Sequence, residues 1–195
     1  MKGRREEYGY VIDILPPEVA VYRLPAKMRR DFPHDVTYAH LVGEDHFTLL
    51  EVTLKRGAAV EIGERVYVGA GTRDKVDKIV RRIGYKDLQP QGRENLHAVV
   101  KRLVQEQESR FIKWFNDAGP VTLKLHSLEL LRGIGKKKVQ EILEERRKKP
   151  FTSYEDVKQR VGIDLVELII DRILRELAGE EPYYLFTLPP PASPT

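Results

Sequence analysis

The chain has 195 residues, 41% of them hydrophobic and 33% charged, enough for packed cores in one large domain or two small ones. It contains no cysteine, which excludes disulfides, thiolate zinc sites and iron–sulfur clusters. Net charge is only +4, yet residues 132–149 alone carry eight basic and three acidic side chains, so the rest is about neutral and one segment is a basic patch suited to a polyanion.

No apolar run approaches the roughly 20 residues of a membrane-spanning helix. The charged start, Met1-Lys2-Gly3-Arg4-Arg5-Glu6-Glu7, leads into a strand-like run and does not read as a secretion signal. The expected location is the cytoplasm, away from membranes.

Residues 8–72 read as strands. Tyr8–Leu15 is rich in β-branched and aromatic residues and ends at Pro16-Pro17. Val19–Leu24 is predicted as a short strand ended by Pro25, and Val36–Val42 as a third. Gly43-Glu44-Asp45 turns that strand into His46–Leu54, and Arg65–Gly69 follows. Short strands at this spacing predict a small barrel of OB or SH3-like type. Tyr8, Tyr10, Tyr38, Phe47 and Tyr67 belong to its core or to base-stacking platforms on its surface; alternation alone does not decide. The loop Lys27–His34 is basic and holds Phe32, so it is an exposed loop or a contact for nucleic acid.

From Arg73 the period changes. Val76, Ile79, Val80 and Ile83 share one face of a predicted helix ended by Gly84. A connector with Pro90 leads to a longer predicted helix, about 93–116, carrying Leu96, Val99, Val100, Leu103, Val104, Phe111, Ile112 and Phe115, with Trp114 beside the stripe. Ala118-Gly119-Pro120 stops it.

Residues 128–139, Leu-Glu-Leu-Leu-Arg-Gly-Ile-Gly-Lys-Lys-Lys-Val, read as a short helix, a tight turn and a second helix. Leu128, Leu131 and Ile134 fall on one side. Gly133 and Gly135 allow positive φ and a close approach to the backbone. The first turn of the second helix leaves N–H groups without intrahelical partners, and the helix dipole adds positive potential there. Lysines are ill placed at that end unless an anion neutralises them. The predicted phosphate site is therefore the amides of Gly133, Ile134 and Gly135, the charges of Lys136, Lys137 and Lys138, and Arg132 and Arg146 at the rim. The bland reading is a helical turn with solvated lysines, since Glu141, Glu144 and Glu145 sit at pairing distance along the helix.

The pattern Leu-x-x-Leu-x-Gly-Ile-Gly-Lys, followed by an amphipathic helix through Val139, Ile142 and Leu143, resembles the helix-hairpin-helix motif of DNA- and RNA-binding proteins. Phe151, then Ser153 and Asp156 as a helix cap, fit the motif's sequel. Val161-Gly162-Ile163-Asp164 and the apolar Leu165–Ala178 look like a degenerate second copy, in which Asp164 would repel phosphate. The tail carries Tyr183, Tyr184 and Phe186, expected to dock back onto the protein, then a Pro-rich end.

Over about residues 5–186 the chain is similar to an uncharacterised archaeal family that pairs a small N-terminal barrel with a C-terminal helix-hairpin-helix domain predicted to bind nucleic acid. The expectation is an α+β protein: a β-barrel domain with a trailing helix over 1–88, a helical domain with tandem hairpin motifs over 89–180, and a tail over 181–195. Its expected role is sequence-independent binding of DNA or RNA through backbone phosphates, without catalysis. The resemblance leaves room for a monovalent cation on the hairpin carbonyls. No side-chain pattern calls for a cofactor or metal, since His34, His40, His46, His97 and His126 form no closely spaced pair. Two other readings stay open. One is a protein–protein adaptor in a nucleic-acid or ribosome-associated complex, using the barrel or the tail. The other is a DNA-repair glycosylase with Asp164 as its carboxylate.

Overall fold

Alternating β-branched and aromatic residues build the first strand, β1 (Tyr8–Leu15), in a computed structural model that describes residues 5–192. The described residues form two units. One takes the chain up to Val99 and from Glu176 onward; the other is Val100–Arg175. The first unit holds β2 (Tyr38–Gly43), β3 (Leu49–Leu54), β4 (Arg65–Tyr67) and β5 (Val76–Arg82) besides β1. They pair antiparallel in the order β4-β1-β2-β3-β5, a curled sheet left open between β4 and β5. With the helices below, the chain is a mixed α+β protein.

Successive side chains on a strand point to opposite faces, and both faces of this sheet are covered. Val11, Ala39, Leu41, Leu50, Val52 and Val76 pack together on one. Leu15, Tyr38 and Val80 pack on the other, under Ala20 of helix α1 (Pro17–Arg23) and Leu24. Tyr10, Tyr38 and Phe47 are buried, and the Arg65 guanidinium lies 3.4 Å from the Tyr8 ring centre, so these strand aromatics serve the fold. At the β2–β3 turn the buried Glu6 carboxylate accepts the amides of Asp45, His46 and Thr48 at 2.8, 3.0 and 3.1 Å. A Cβ on Gly43 would lie 2.1 Å from the Glu6 carboxyl carbon, so only glycine lets that carboxylate reach the turn.

A buried polar row crosses the sheet. His40 faces Glu51 with Nε2–Oε1 at 3.9 Å, and Arg81 Nε donates to Glu51 Oε2 at 2.8 Å. Burial alone would raise the Glu51 pKa; His40 and Arg81 bring it below the ordinary carboxylate value. His40 thus pairs with Glu51.

Three elements differ from expectation. Val19–Arg23 is helical, within α1, with Leu24 just past its end, because Pro17 sits at the first helical position, where its fixed φ suits a helix and its missing N–H costs nothing. Val76–Arg82 is a strand, not a helix. Its pairing with β3 slips twice, between Glu51 and Val52 and between Thr53 and Leu54, and each slip adds a residue that breaks the period of two. The apolar spacing then imitates a helix, although Val76 and Val80 pack in different clusters. The predicted long helix is two, α2 (Pro90–Glu106) and α3 (Glu108–Asp117), parted at Gln107 with φ −96° and ψ 33°.

The tail returns to the first unit. Glu176, fully buried, accepts the amides of Leu185, Phe186 and Thr187, and Phe186 is buried.

In the second unit a small hairpin, β6 (Pro120–Thr122) and β7 (Leu125–His126), follows α3. A 3-10 turn (Ser127–Leu130) leads to α4 (Lys136–Lys148), α5 (Tyr154–Val161) and α6 (Leu165–Ala178), whose residues from Glu176 on belong to the first unit. Phe111, Phe115, Leu128, Ile142, Val157 and Ile169 form much of its interior. Phe151 packs on Phe115 with centroids 5.2 Å apart, and its backbone amide and carbonyl both bond the Asn116 side chain, at 2.9 and 2.8 Å. The Ser153 hydroxyl caps α5 by accepting the Asp156 amide at 3.0 Å.

Candidate nucleic-acid interface

The turn between Leu131 and Lys136 is set by two local demands. Gly133 takes φ 82°, a region that side chains disfavour, and Ile134 is buried. Its amide donates to the Leu131 carbonyl at 3.2 Å, so of the three amides expected to face a phosphate this one closes the turn instead. Gly135 has extended backbone, φ −94° and ψ 179°, directly before α4, and supplies no side-chain cap. Ideal Cβ positions on Gly133 and Gly135 meet nothing within 4 Å, so both backbones are open to approach. Among the described residues the amides of Gly133 and Gly135 have no protein acceptor. The first α4 residue whose amide returns to the helix is Val139, to Gly135 at 3.0 Å, and the first turn of α4 carries no acid.

The four cations around this point are not equivalent. Lys137 is exposed, with no carboxylate within 4 Å among the described residues. Lys136 is exposed; its Nζ donates to the Lys124 carbonyl at 2.9 Å and lies 3.8 Å from Glu129. Arg132 is exposed and lies 3.4 Å from Asp171, a contact worth little in water. Lys138 is drawn inward: it donates to the Val161 carbonyl at 3.0 Å and to Glu141 at 2.6 Å, across the C-terminal end of α5. Arg146 is not brought to this end. It sits ten residues along α4, about 15 Å of helix, and donates to the Phe115 and Ala118 carbonyls at 3.2 and 2.9 Å, closing the end of α3. Burial there lowers its pKa, with Asp117 opposing.

Three supports of the turn escape a local reading of the sequence. Arg172 on α6 is almost fully buried and donates to the Leu130 carbonyl at 3.0 Å, bracing the 3-10 turn from 42 residues away. An arginine between Ile169-Ile170 and Ile173-Leu174, inside the apolar part of α6, is its only trace in the sequence. His126 and Glu129 cap the 3-10 turn reciprocally: His126 Nδ1 accepts the Leu128 amide at 3.1 Å, and Glu129 Oε2 accepts the His126 amide at 2.8 Å. The β6–β7 tip holds Leu123, fully exposed, beside Lys124, whose carbonyl Lys136 holds.

The expected second copy has its own geometry. Gly162 takes φ 69° after α5, Ile163 is buried, and Asp164 Oδ1 accepts the Glu167 amide at 3.3 Å, capping α6. The carboxylate weighed as a catalytic Asp is engaged in that cap. No group of three or more potential metal ligands occurs among the described residues. Among the described residues no helix is long and apolar enough to cross a membrane.

Comparison with known proteins follows the whole chain and not the turn alone. The model of a protein family of unknown function, DUF655, matches residues 5–188. The uncharacterized protein MJ0038 of Methanocaldococcus jannaschii is 40% identical over 183 residues, spanning 93% of this chain and 79% of that protein. The crystal structure of Af1531 from Archaeoglobus fulgidus matches with a TM-score of 0.78 and 40% identity, over 94% of this chain and 100% of the other. The chain belongs to DUF655, a family of unknown function with archaeal members.

Proposed function

We propose that this protein binds nucleic acid without chemistry, holding a backbone phosphate at the start of α4. In this reading the turn at 131–135 is a helix-hairpin-helix turn, the second turn at 161–164 is its degenerate copy, and the open sheet is an OB- or SH3-like half-barrel. The observation that carries it is the uncapped helix start: open Gly133 and Gly135 amides, an acid-free first turn, and the exposed side chains of Lys136 and Lys137. The phosphate donors are then Gly133, Gly135 and the first α4 amides, with Lys136, Lys137 and Arg132 adding charge. Such contacts position a strand without reading bases, so binding is largely independent of sequence.

Gly135→Val tests this cleanly. At φ −94° a valine is unstrained, and its side chain has room in the free protein. The branched side chain would occupy the space that a phosphate needs. The expected result is a melting temperature lowered by no more than a few degrees, glycine being the better N-cap by about 1 kcal/mol, and more than about a tenfold loss of affinity for both DNA and RNA, one lost charge-assisted contact being worth about 1.5–3 kcal/mol. A folded variant with wild-type affinity for both would end the reading. An adaptor role would then take its place, favoured by the exposed Val121 and Leu123 of the β6–β7 hairpin as an apolar contact for a protein partner.

A further inference from the structure

The first unit carries a second cluster of cations, around the end of α1. A shallow open groove of about 670 Å³ is lined by Tyr22, Arg23, Lys27, Arg29, Arg81 and Asp87. It adjoins another of about 560 Å³, to which Arg82 and Lys86 contribute. Asp87 is the one carboxylate lining either groove among the described residues. Arg81 is neutralised by the buried Glu51, but Arg23 and Arg29 are held by backbone carbonyls alone. Arg23 donates to Asp87 O at 2.9 Å; Arg29 donates to Leu24 O and Tyr22 O, both at 3.0 Å. Carbonyls fix the guanidinium groups without cancelling their charge, so the groove is rigid and positive.

Tyr22 stands at its edge with 76% of its surface exposed. The reason is local. α1 turns Ala20 inward and Leu24 is buried just beyond it, so the position between them faces out. No hydrogen bond or ring partner of the Tyr22 side chain exists among the described residues. The strand aromatics that sequence alone offered as stacking platforms are buried or covered, whereas this ring is bare and set among phosphate-binding cations.

We propose that this groove binds single-stranded nucleic acid, one base stacking on Tyr22 while Arg23, Lys27, Arg29 and Lys86 hold the adjoining phosphates. Duplex bases present no free face, so the ring selects unpaired strands. The proposal rests on the nucleic-acid reading above and adds a second, structurally independent contact in the other unit.

The test uses the full chain and fluorescence anisotropy with labelled dT12, U12 and a 12-base-pair duplex at one salt concentration. Tyr22→Ala weakens single-strand binding about 5- to 150-fold, the range of one base–aromatic stack, and leaves duplex affinity within about twofold. Tyr22→Phe keeps the ring and binds as wild type. Equal losses with dT12 and U12 assign the groove to single strands of either sugar; a loss confined to one assigns it to that nucleic acid. Gly135→Val, run alongside, lowers affinity for all three probes. If the wild type binds but Tyr22→Ala keeps its single-strand affinity, the groove proposal falls and the hairpin reading stands. If Gly135→Val is silent while Tyr22→Ala loses single-strand binding, the hairpin reading falls and the groove stands. Wild-type protein that binds none of the probes overturns both.

Discussion

Two turns of the second unit share a short residue pattern and end with opposite electrostatics. Each passes through a glycine at positive φ, 82° at Gly133 and 69° at Gly162. Each then buries an isoleucine, Ile134 or Ile163, and starts a helix at the second residue after it. They differ in the residue between. Before α4 it is Gly135, which has no side chain; before α6 it is Asp164, whose carboxylate accepts the Glu167 amide. The second helix therefore has one of its first-turn N–H groups accepted by its own cap, and the first has no such cap beside Lys136 and Lys137. Turn geometry alone does not make an anion site. In the proposed reading it takes the omission of a cap, which forgoes a few tenths of a kcal/mol of helix stability when glycine stands there.

The largest effect should come from erasing that difference. Gly135→Asp gives the first turn the cap of the second. Its backbone already has the extended conformation of a capping residue, so the carboxylate can accept an α4 amide. Melting temperature is expected to rise by a few degrees, since cap and dipole together contribute about 1 kcal/mol. Affinity for DNA and RNA should fall more than tenfold, beyond the loss from Gly135→Val, because charge repulsion joins occlusion. Calorimetry and anisotropy on the same preparation read the two signs. A variant that binds worse and also melts earlier would mean a damaged turn, and the comparison would lose its force.

Next in size is the lysine pair. Lys136→Ala with Lys137→Ala should lower the slope of log affinity against log salt by about one to two units, as each lost phosphate contact removes close to one. Lys138→Ala should leave the slope alone and lower stability, because its ammonium is engaged with Val161 O and Glu141. A slope lowered by Lys138→Ala as well would show the run acting as diffuse charge. The α4 start would then be no more than a basic surface.

Asp164→Ala should cost about 1 kcal/mol of stability through the lost cap and leave affinity unchanged, or raise it slightly as a negative charge goes. Urea titration beside the binding assay reads both. A clear loss of affinity at constant stability would make the second turn a partner in binding and not scaffold.

What sequence showed of these turns depended on range. The first turn was legible because its signals are local: apolar spacing at Leu128, Leu131 and Ile134, glycines around one isoleucine, lysines after. The strand Tyr8–Leu15 was legible for the same reason, since its composition and the following prolines agree. Val76–Arg82 was not, because two slips in its pairing with β3 convert a strand period into a helical one, and a slip is a property of the partner. Arg172, Lys138 and Arg146 were misjudged or missed together. Each meets a backbone carbonyl between 23 and 42 residues away, and nothing in a local window distinguishes such a cation from one that faces solvent. Conversely, the exposure of Tyr22 follows from α1 being a helix, where a strand was expected.

The smallest effect is one of pH, and it touches only the first turn. His126 Nδ1 must be unprotonated to accept the Leu128 amide, so protonation breaks the cap of the 3-10 turn that precedes Gly133. Burial first, then the nearby Arg146 charge, lower the His126 pKa below its ordinary 6.5, with Glu129 opposing. In the folded chain the imidazole therefore holds a proton less tightly than in the unfolded chain. As pH falls through 6.5 the unfolded state takes up a proton that the folded state resists, so stability contributed above 6.5 is lost on acidification down through the folded pKa. The second turn has no such group; its preceding helix is capped by Ser153, which does not titrate in this range. His126→Asn should keep an acceptor at the cap while removing the titration. The expected outcome is a difference in unfolding free energy between wild type and variant that is constant above about pH 7.5 and shifts in favour of the variant below 6.5. An NMR titration places the imidazole directly. A His126 pKa above 6.5 would reverse the sign, and acid would then strengthen the first turn.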